Sequence, residues 1–174
     1  MKYLVKFIVV TFFILICTHT FAEQKIAIMD LTFVLNNSEA GKGAQDFLKK
    51  SYSNNIKKFT DVENNLKKEE SDLLTKKTVI SKEAYTKKSD TLRKKVIDYQ
   101  SQRRSALDKI TTQRAQARET LIKKINPMLK TYMEENSISL VIDKKLILAG
   151  RPDNDITAVI VEKLNKILPS LNLK

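Results

Sequence analysis

Between Ala44 and Asn126 the chain runs 83 consecutive positions without a glycine or a proline, where average usage would place roughly ten. With neither a flexible joint nor a ring to interrupt it, such a stretch is helical. Within it Tyr52, Phe59, Leu66 and Leu73 recur every seven residues, and Tyr85, Leu92 and Tyr99 do so again, the repeat of a helix seam packed along a partner. The two ladders mirror each other about Val79: Leu73 matches Tyr85, Leu66 matches Leu92, Phe59 matches Tyr99, Val62 matches Val96 and Leu48 matches Ile110. A single rod gives no reason for that symmetry. An antiparallel helical hairpin requires it, because packed layers lie equidistant from the turn. The sequence therefore predicts a two-helix arm over residues 39–136 with its turn near residue 79.

The turn carries its own signals. Lys76 and Lys77 sit where positive charge favours a helix C-terminus, Ser81 can cap the return helix with Glu83 in its first turn, and Ile80 can staple onto Tyr85. An outgoing helix from about Glu39 to Lys77 would be roughly 58 Å long and the return helix to Asn136 roughly 80 Å. The return helix overshoots. By the mirror, everything from Leu121 onward continues past the base of the arm, and Pro127 falls there and should kink it.

The first 22 residues carry Lys2 and Lys6, then the apolar run Phe7 to Cys17, then Thr20-Phe21-Ala22, which reads as a secretory signal peptide over residues 1–22, cleaved after Ala22. A membrane span needs about 20 apolar residues, more than this run supplies. Cys17 follows Ile16, too bulky for the small residue expected before a lipidated cysteine. Cys17 and His19 are the only cysteine and histidine, so cleavage would remove disulfides, thiol chemistry, cysteine or histidine metal ligands and any Ser/His/Asp triad from the mature chain. The glycines are Gly41, Gly43 and Gly150, so a phosphate-cradling GxxxxGK[ST] loop cannot be written and ATP is not expected as fuel. No cofactor is expected. The formal charge falls from +12 to +10, since Lys2 and Lys6 are the only charged side chains the leader holds.

Lys25 to Leu31 is apolar on both alternating faces, as in a short strand buried on both sides. Ser38 is a plausible cap for the start of the arm. Beyond the arm, Ile138 to Asp143 and Leu146 to Ala149 read as two strands joined by a tight turn at Lys144-Lys145, although that turn lacks glycine. Gly150-Arg151-Pro152 breaks the chain; Asp153, Asp155 or Thr157 can cap a last helix with Ile156, Ile160, Leu164, Ile167 and Leu171 on one face, ended by Pro169. The expected fold class is α+β: a small three-stranded head from residues 23–38 and 137–174, with the helical arm inserted between its first and second strands. A head of this size is marginal alone. Self-association through it, with Ile26, Ile28, Leu140 and Ile142 as the association residues, is the expected remedy.

Charge gathers near the turn. Lys76, Lys77, Lys82, Lys87, Lys88, Arg93, Lys94 and Lys95 stand against Glu83 and Asp90 between Leu74 and Lys95. A solvated helix face accounts for such a run; attraction to acidic polypeptide, lipopolysaccharide phosphate or an anionic membrane surface is the functional reading, and the two are compatible. The basic residues form no nucleic-acid recognition motif, and the aromatics occupy seam positions instead of stacking platforms, so no specific nucleic-acid partner is expected. Asp30, Asp143 and Asp155 stand at strand ends or caps, where carboxylates ordinarily satisfy backbone groups. No catalytic residue is assigned. Asn55 with Arg103, and Glu69 with Ser89, form polar layers in the mirrored seam that set register and loosen the arm.

Four stretches together carry a family resemblance: Lys25-Ile26-Ala27-Ile28-Met29-Asp30, Asn37-Ser38-Glu39-Ala40-Gly41-Lys42, Ile138 to Asp143, and Asp155-Ile156-Thr157. On these residues the chain resembles the OmpH-like family of periplasmic chaperones. The resemblance departs at Ser137, where relatives often have glycine. It implies a homotrimer whose heads form a β-barrel-like body and whose arms surround a cavity holding unfolded outer-membrane proteins. The expected function is then an ATP-independent periplasmic holdase, not an enzyme. A scaffolding coiled-coil protein of the envelope, binding one folded partner, is the alternative.

Overall fold

Residues 25–173 are described in the structure, a computed structural model; the signal-peptide reading of residues 1–22 lies outside them. In chain order come β1 (Lys25–Met29), α1 (Leu31–Asn37), α2 (Glu39–Thr75), α3 (Lys82–Glu135), β2 (Ile138–Asp143), two short 3-10 turns, and α4 (Thr157–Ile167). Asp30 ends β1 and starts α1, its Oδ1 accepting from the Phe33 amide at 2.8 Å.

Ser38 is a fully buried elbow. It receives the end of α1 through its own amide, which donates to the Val34 carbonyl at 3.1 Å, and it starts α2 by accepting from the Gly41 amide at 3.2 Å through Oγ. At the elbow a Cβ on Gly41 would lie 1.9 Å from the Leu35 carbonyl oxygen, so only glycine lets the arm leave the head this closely. The Glu39 amide, another orphan donor of the first turn, is taken by Asn165 Oδ1 of α4 at 2.8 Å.

The arm is α2 packed against α3. At 1.5 Å per residue the helices measure about 56 and about 81 Å. Phe59 and Tyr99 meet edge to face with ring centroids 6.0 Å apart, Tyr99 Oη donates to Glu63 at 3.0 Å, and Lys95 bridges to Glu69 of α2 at 2.7 Å. Those pairings run α2 and α3 in opposite directions. At the far end the Ile80 and Val79 amides donate to the Lys76 carbonyl, and Ser81 Oγ accepts from the Ala84 amide at 3.2 Å, capping α3 without any glycine. Helix α3 stays helical through Pro127.

The overshooting end of α3 is part of the head. Leu121 and Ile125 join Ala27, Met29, Val34, Leu35, Ala40, Ile138, Ile156, Ile160 and Leu164 in one buried cluster, with Leu129 and Tyr132 packed on its edge. Lys163 of α4 lies over the Tyr132 ring at 5.3 Å and pairs with Glu135 at 3.6 Å, fastening α4 to α3. Among the described residues no helix is long and apolar enough to cross a membrane.

The head sheet departs from the expectation. Among the described residues it has two strands, β1 and β2, running parallel with Ile26 beside Leu140 and Ile28 beside Ile142. Leu146 to Ala149 is not a third strand. Asp143 Oδ1 accepts from the Lys145 amide at 3.0 Å and turns the chain into the 3-10 turn Lys144–Leu146, the outcome favoured where no glycine is present to form a two-residue hairpin. The second edge of β1 is then taken by the segment entering α4: the Ile156 amide donates to the Ile28 carbonyl at 2.9 Å, and Ile28 bridges Asp155. Among the described residues the outer edge of β2 carries no strand, and Leu146 and Leu148 are exposed.

Candidate functional site

The eight cationic residues named from the sequence are all exposed, but the structure divides them. Lys76 caps the end of α2, and Lys77 Nζ lies 6.0 Å from the centre of the Tyr85 ring. Arg93 pairs with Asp90 at 3.2 Å, and Lys95 turns across to Glu69, so both spend their charge within the arm. Lys82, Lys87 and Lys94 line one shallow depression on the outer side of α3. With Lys76 and Lys88 they make no ion pair among the described residues, leaving five ammonium groups at the tip to meet an outside anion.

Below the tip the seam is only partly closed, because two helices cannot cover each other on every side. Phe59 and Leu48 of α2 and Ile110 of α3 are buried, whereas Tyr52, Ile56 and Leu107 are roughly half exposed. The polar layers differ from the mirror reading in one respect: Glu69 finds Lys95 instead of Ser89. The Glu63 carboxylate is held below its usual value by its hydrogen bonds from Lys67 and then Tyr99. An arm built this way presents alternating apolar and charged ground along its length.

The four head residues share one face of the sheet. Ala27 and Met29 point into the core, and Ile26, Ile28, Leu140 and Ile142 occupy the alternate positions of the paired strands. Ile28 is buried, covered by the chain around Gly150, where an added Cβ would stand 2.6 Å from Ile28 Cδ1. Ile26 and Leu140 are 45% and 49% exposed. The expected burial of the strand on both sides is therefore incomplete among the described residues, where no element covers that end of the sheet. The result is an apolar patch beside an open strand edge.

Three aspartates serve as caps, and one does more. Asp155 accepts from the Thr157 amide at 3.0 Å and from the Thr157 hydroxyl, and pairs with Lys144 at 2.7 Å. Thr157 Oγ1 in turn accepts from the Asp30 amide at 2.9 Å. Partial burial alone would raise the Asp155 pKa; the hydrogen bonds from Lys144 and Thr157 outweigh it and pull the value from 3.8 down to about 2. This network ties β1, the turn after β2 and the start of α4 together. Neither the Asp30 link to Thr157 nor the Asn165 contact to Glu39 was visible in the sequence, since those partners lie more than a hundred residues apart; Asp155-Ile156-Thr157 marked only the local cap.

The head thus carries a protruding two-helix arm, cationic at its tip and with a partly exposed apolar seam. Residues 25–164 match the family described as Outer membrane protein (OmpH-like), and the chain belongs to that family. It is similar to a Skp-like protein of Pseudomonas aeruginosa, 24% identical over 171 residues that cover 96% of this chain and 99% of that one. Its fold is similar to the crystal structure of an OmpH-like protein from Caulobacter crescentus, described there as an outer membrane chaperone candidate, with a TM-score of 0.79 and 21% identity over 89% of this chain and 92% of that one.

Proposed function

We propose that this protein is a periplasmic holdase that binds unfolded outer-membrane β-barrel proteins and keeps them soluble without ATP, with no enzymatic step and no cofactor. The observation that carries the reading is the arm: its seam leaves Tyr52, Ile56 and Leu107 half exposed along helices tens of ångströms long, under a tip with five lysines that form no ion pair among the described residues. Apolar ground among exposed cations suits a chain that is unfolded, apolar in alternate positions and not yet in a membrane. Membership of the OmpH-like family points the same way.

The head supplies the assembly. Ile26 and Leu140, with the free edge of β2, would be covered by further copies, giving a homotrimer whose arms enclose one client. Several weak contacts from separate arms then add up to tight yet reversible capture. The leader over residues 1–22 delivers the chain to the periplasm. Lipopolysaccharide or an anionic membrane surface would meet the same tip lysines as an acidic client does.

The test is breadth. Several unrelated barrel proteins, unfolded in urea, are diluted into buffer without ATP, with and without the purified protein, and followed by light scattering. Suppression of aggregation for all of them is the expected result. Suppression of none, together with tight binding of a single folded envelope protein, would favour the scaffold.

A further inference from the structure

Three surface cavities lie end to end along one face of the arm and share residues where they meet. The one at the root, of about 730 Å³, reaches Tyr52. The next, of about 210 Å³, runs from Tyr52 to Glu63 and Tyr99. The third, of about 470 Å³, continues from Glu63 and Tyr99 to Leu74 and Tyr85. Together they make one furrow between α2 and α3, from the elbow almost to the tip.

Its floor is apolar and its rim carries both signs of charge with basic groups in excess. Ile56 and Leu107, 50% and 43% exposed, lie in it beside Tyr52. Lys49, Arg114 and Arg118 line the root and form no ion pair among the described residues. Of the three acidic groups along it, Asp46, Glu63 and Glu70, Glu63 is already engaged by Lys67 and Tyr99.

We infer that this furrow is the seat of the client, and that each arm takes one extended segment with apolar side chains at alternate positions and carboxylates between them: the pattern of a single barrel strand before it folds. The inference rests on the holdase reading and assigns its binding surface to the furrow floor instead of the tip. The geometry matches in two ways. Tyr52 and Ile56 are about 6 Å apart along the helix axis, close to the roughly 6.6 Å between same-side residues of an extended chain. From Tyr52 to Leu74 the furrow runs about 33 Å, which holds about ten extended residues, the length of one membrane-spanning strand. A second copy's arm is a poor occupant, since residues 39–135 carry 23 basic against 14 acidic side chains and two such arms repel.

The experiment uses the full-length assembled protein and a fluorescently labelled, urea-unfolded barrel protein. Ile56→Gln with Leu107→Gln removes the apolar floor at two half-exposed positions, and Ile97→Gln alters an exposed apolar residue of α3 that does not line the furrow. The furrow variant should bind about tenfold more weakly, and the Ile97 variant should bind as the original does. A photo-crosslinker at position 56 should join to the client and one at position 97 should not. This second readout stands even if the double variant folds poorly. Equal affinities for both variants, or crosslinks from position 56 to another copy of the arm, would overturn the furrow and leave the holdase reading intact. Failure of the unaltered protein to bind any unfolded barrel would overturn both.

Discussion

Acid should weaken the head through one carboxylate. Against the opposing effect of burial, hydrogen bonds from Lys144 and Thr157 pull the Asp155 pKa from 3.8 down to about 2 in the folded chain, and at ~1.36 kcal/mol per unit that difference corresponds to about 2 kcal/mol of folded-state stability. A depressed carboxylate pKa stabilises above the unfolded value and ceases to do so as pH falls through the folded value. The contribution is therefore complete above about pH 5 and gone near pH 1, with most of the loss between pH 4 and pH 2. Asp155→Asn keeps the shape and an acceptor for the Thr157 amide but removes the charge that pairs with Lys144. Urea unfolding by far-ultraviolet circular dichroism, at one fixed protein concentration, gives the stability of each form at pH 6, 4, 3 and 2. Carboxylates elsewhere cancel in the difference between the two proteins. That difference should be about 2 kcal/mol at pH 6 and shrink toward zero at pH 2. A difference that stays constant from pH 6 to pH 2 would refute the argument that the Asp155 charge holds β1, the Lys144 turn and α4 together.

Ser137 holds a φ of 53°, a left-handed conformation that costs an L-residue about 1–2 kcal/mol; Ser137→Gly should raise stability by about 1 kcal/mol, seen as a rise of roughly 2–4 °C in thermal unfolding. Leu140→Asp, at a half-exposed position, should leave the chain folded but unable to self-associate, whereas Ile28→Asp puts an unpaired charge at a buried site beneath the chain around Gly150 and should cost about 3–5 kcal/mol; sedimentation and circular dichroism separate the two outcomes. Changing Lys76, Lys77, Lys82, Lys87 and Lys88 to Gln should slow client capture at low salt and leave it unchanged at high salt, because steering by these charges is screened within about 8 Å at physiological ionic strength. Stopped-flow capture rates at both salt concentrations check this.

The arm was legible because its determinants are local and repetitive. A long helical run needs no partner to be recognised, and the Phe59 and Tyr99 contact at 6.0 Å is one the mirror about Val79 pairs. Ser38 and Ser81 likewise announce themselves as caps within four residues of what they bond. The head was harder to read. Leu146 to Ala149 has strand composition, yet the chain before it turns at Asp143, and the second edge of β1 is taken by the Asp155 segment, a pairing across more than a hundred residues that no local pattern marks. The same limit applies to α1: Leu31 to Asn37 is too short for periodicity to show a helix, and its cap Asp30 is fixed through Thr157. Of the candidate site, the position of the tip lysines followed from charge counting, but the loss of Arg93 and Lys95 to partners within the arm did not.

The central claim is that the arm holds the client and the head holds the assembly. Removing Thr60 through Asp98, and joining Phe59 to Tyr99 by a short glycine-containing turn, shortens α2 and α3 equally and retains the buried pair Leu48 and Ile110 with the whole head core. Native mass measurement should find the shortened chain in the same oligomer as the full-length one, since its head contacts lie far from the cut. Light scattering of a urea-unfolded barrel protein diluted with equimolar assembled protein should then show full suppression by the long form and little by the short one. Normal assembly with undiminished suppression by the shortened chain would contradict the claim.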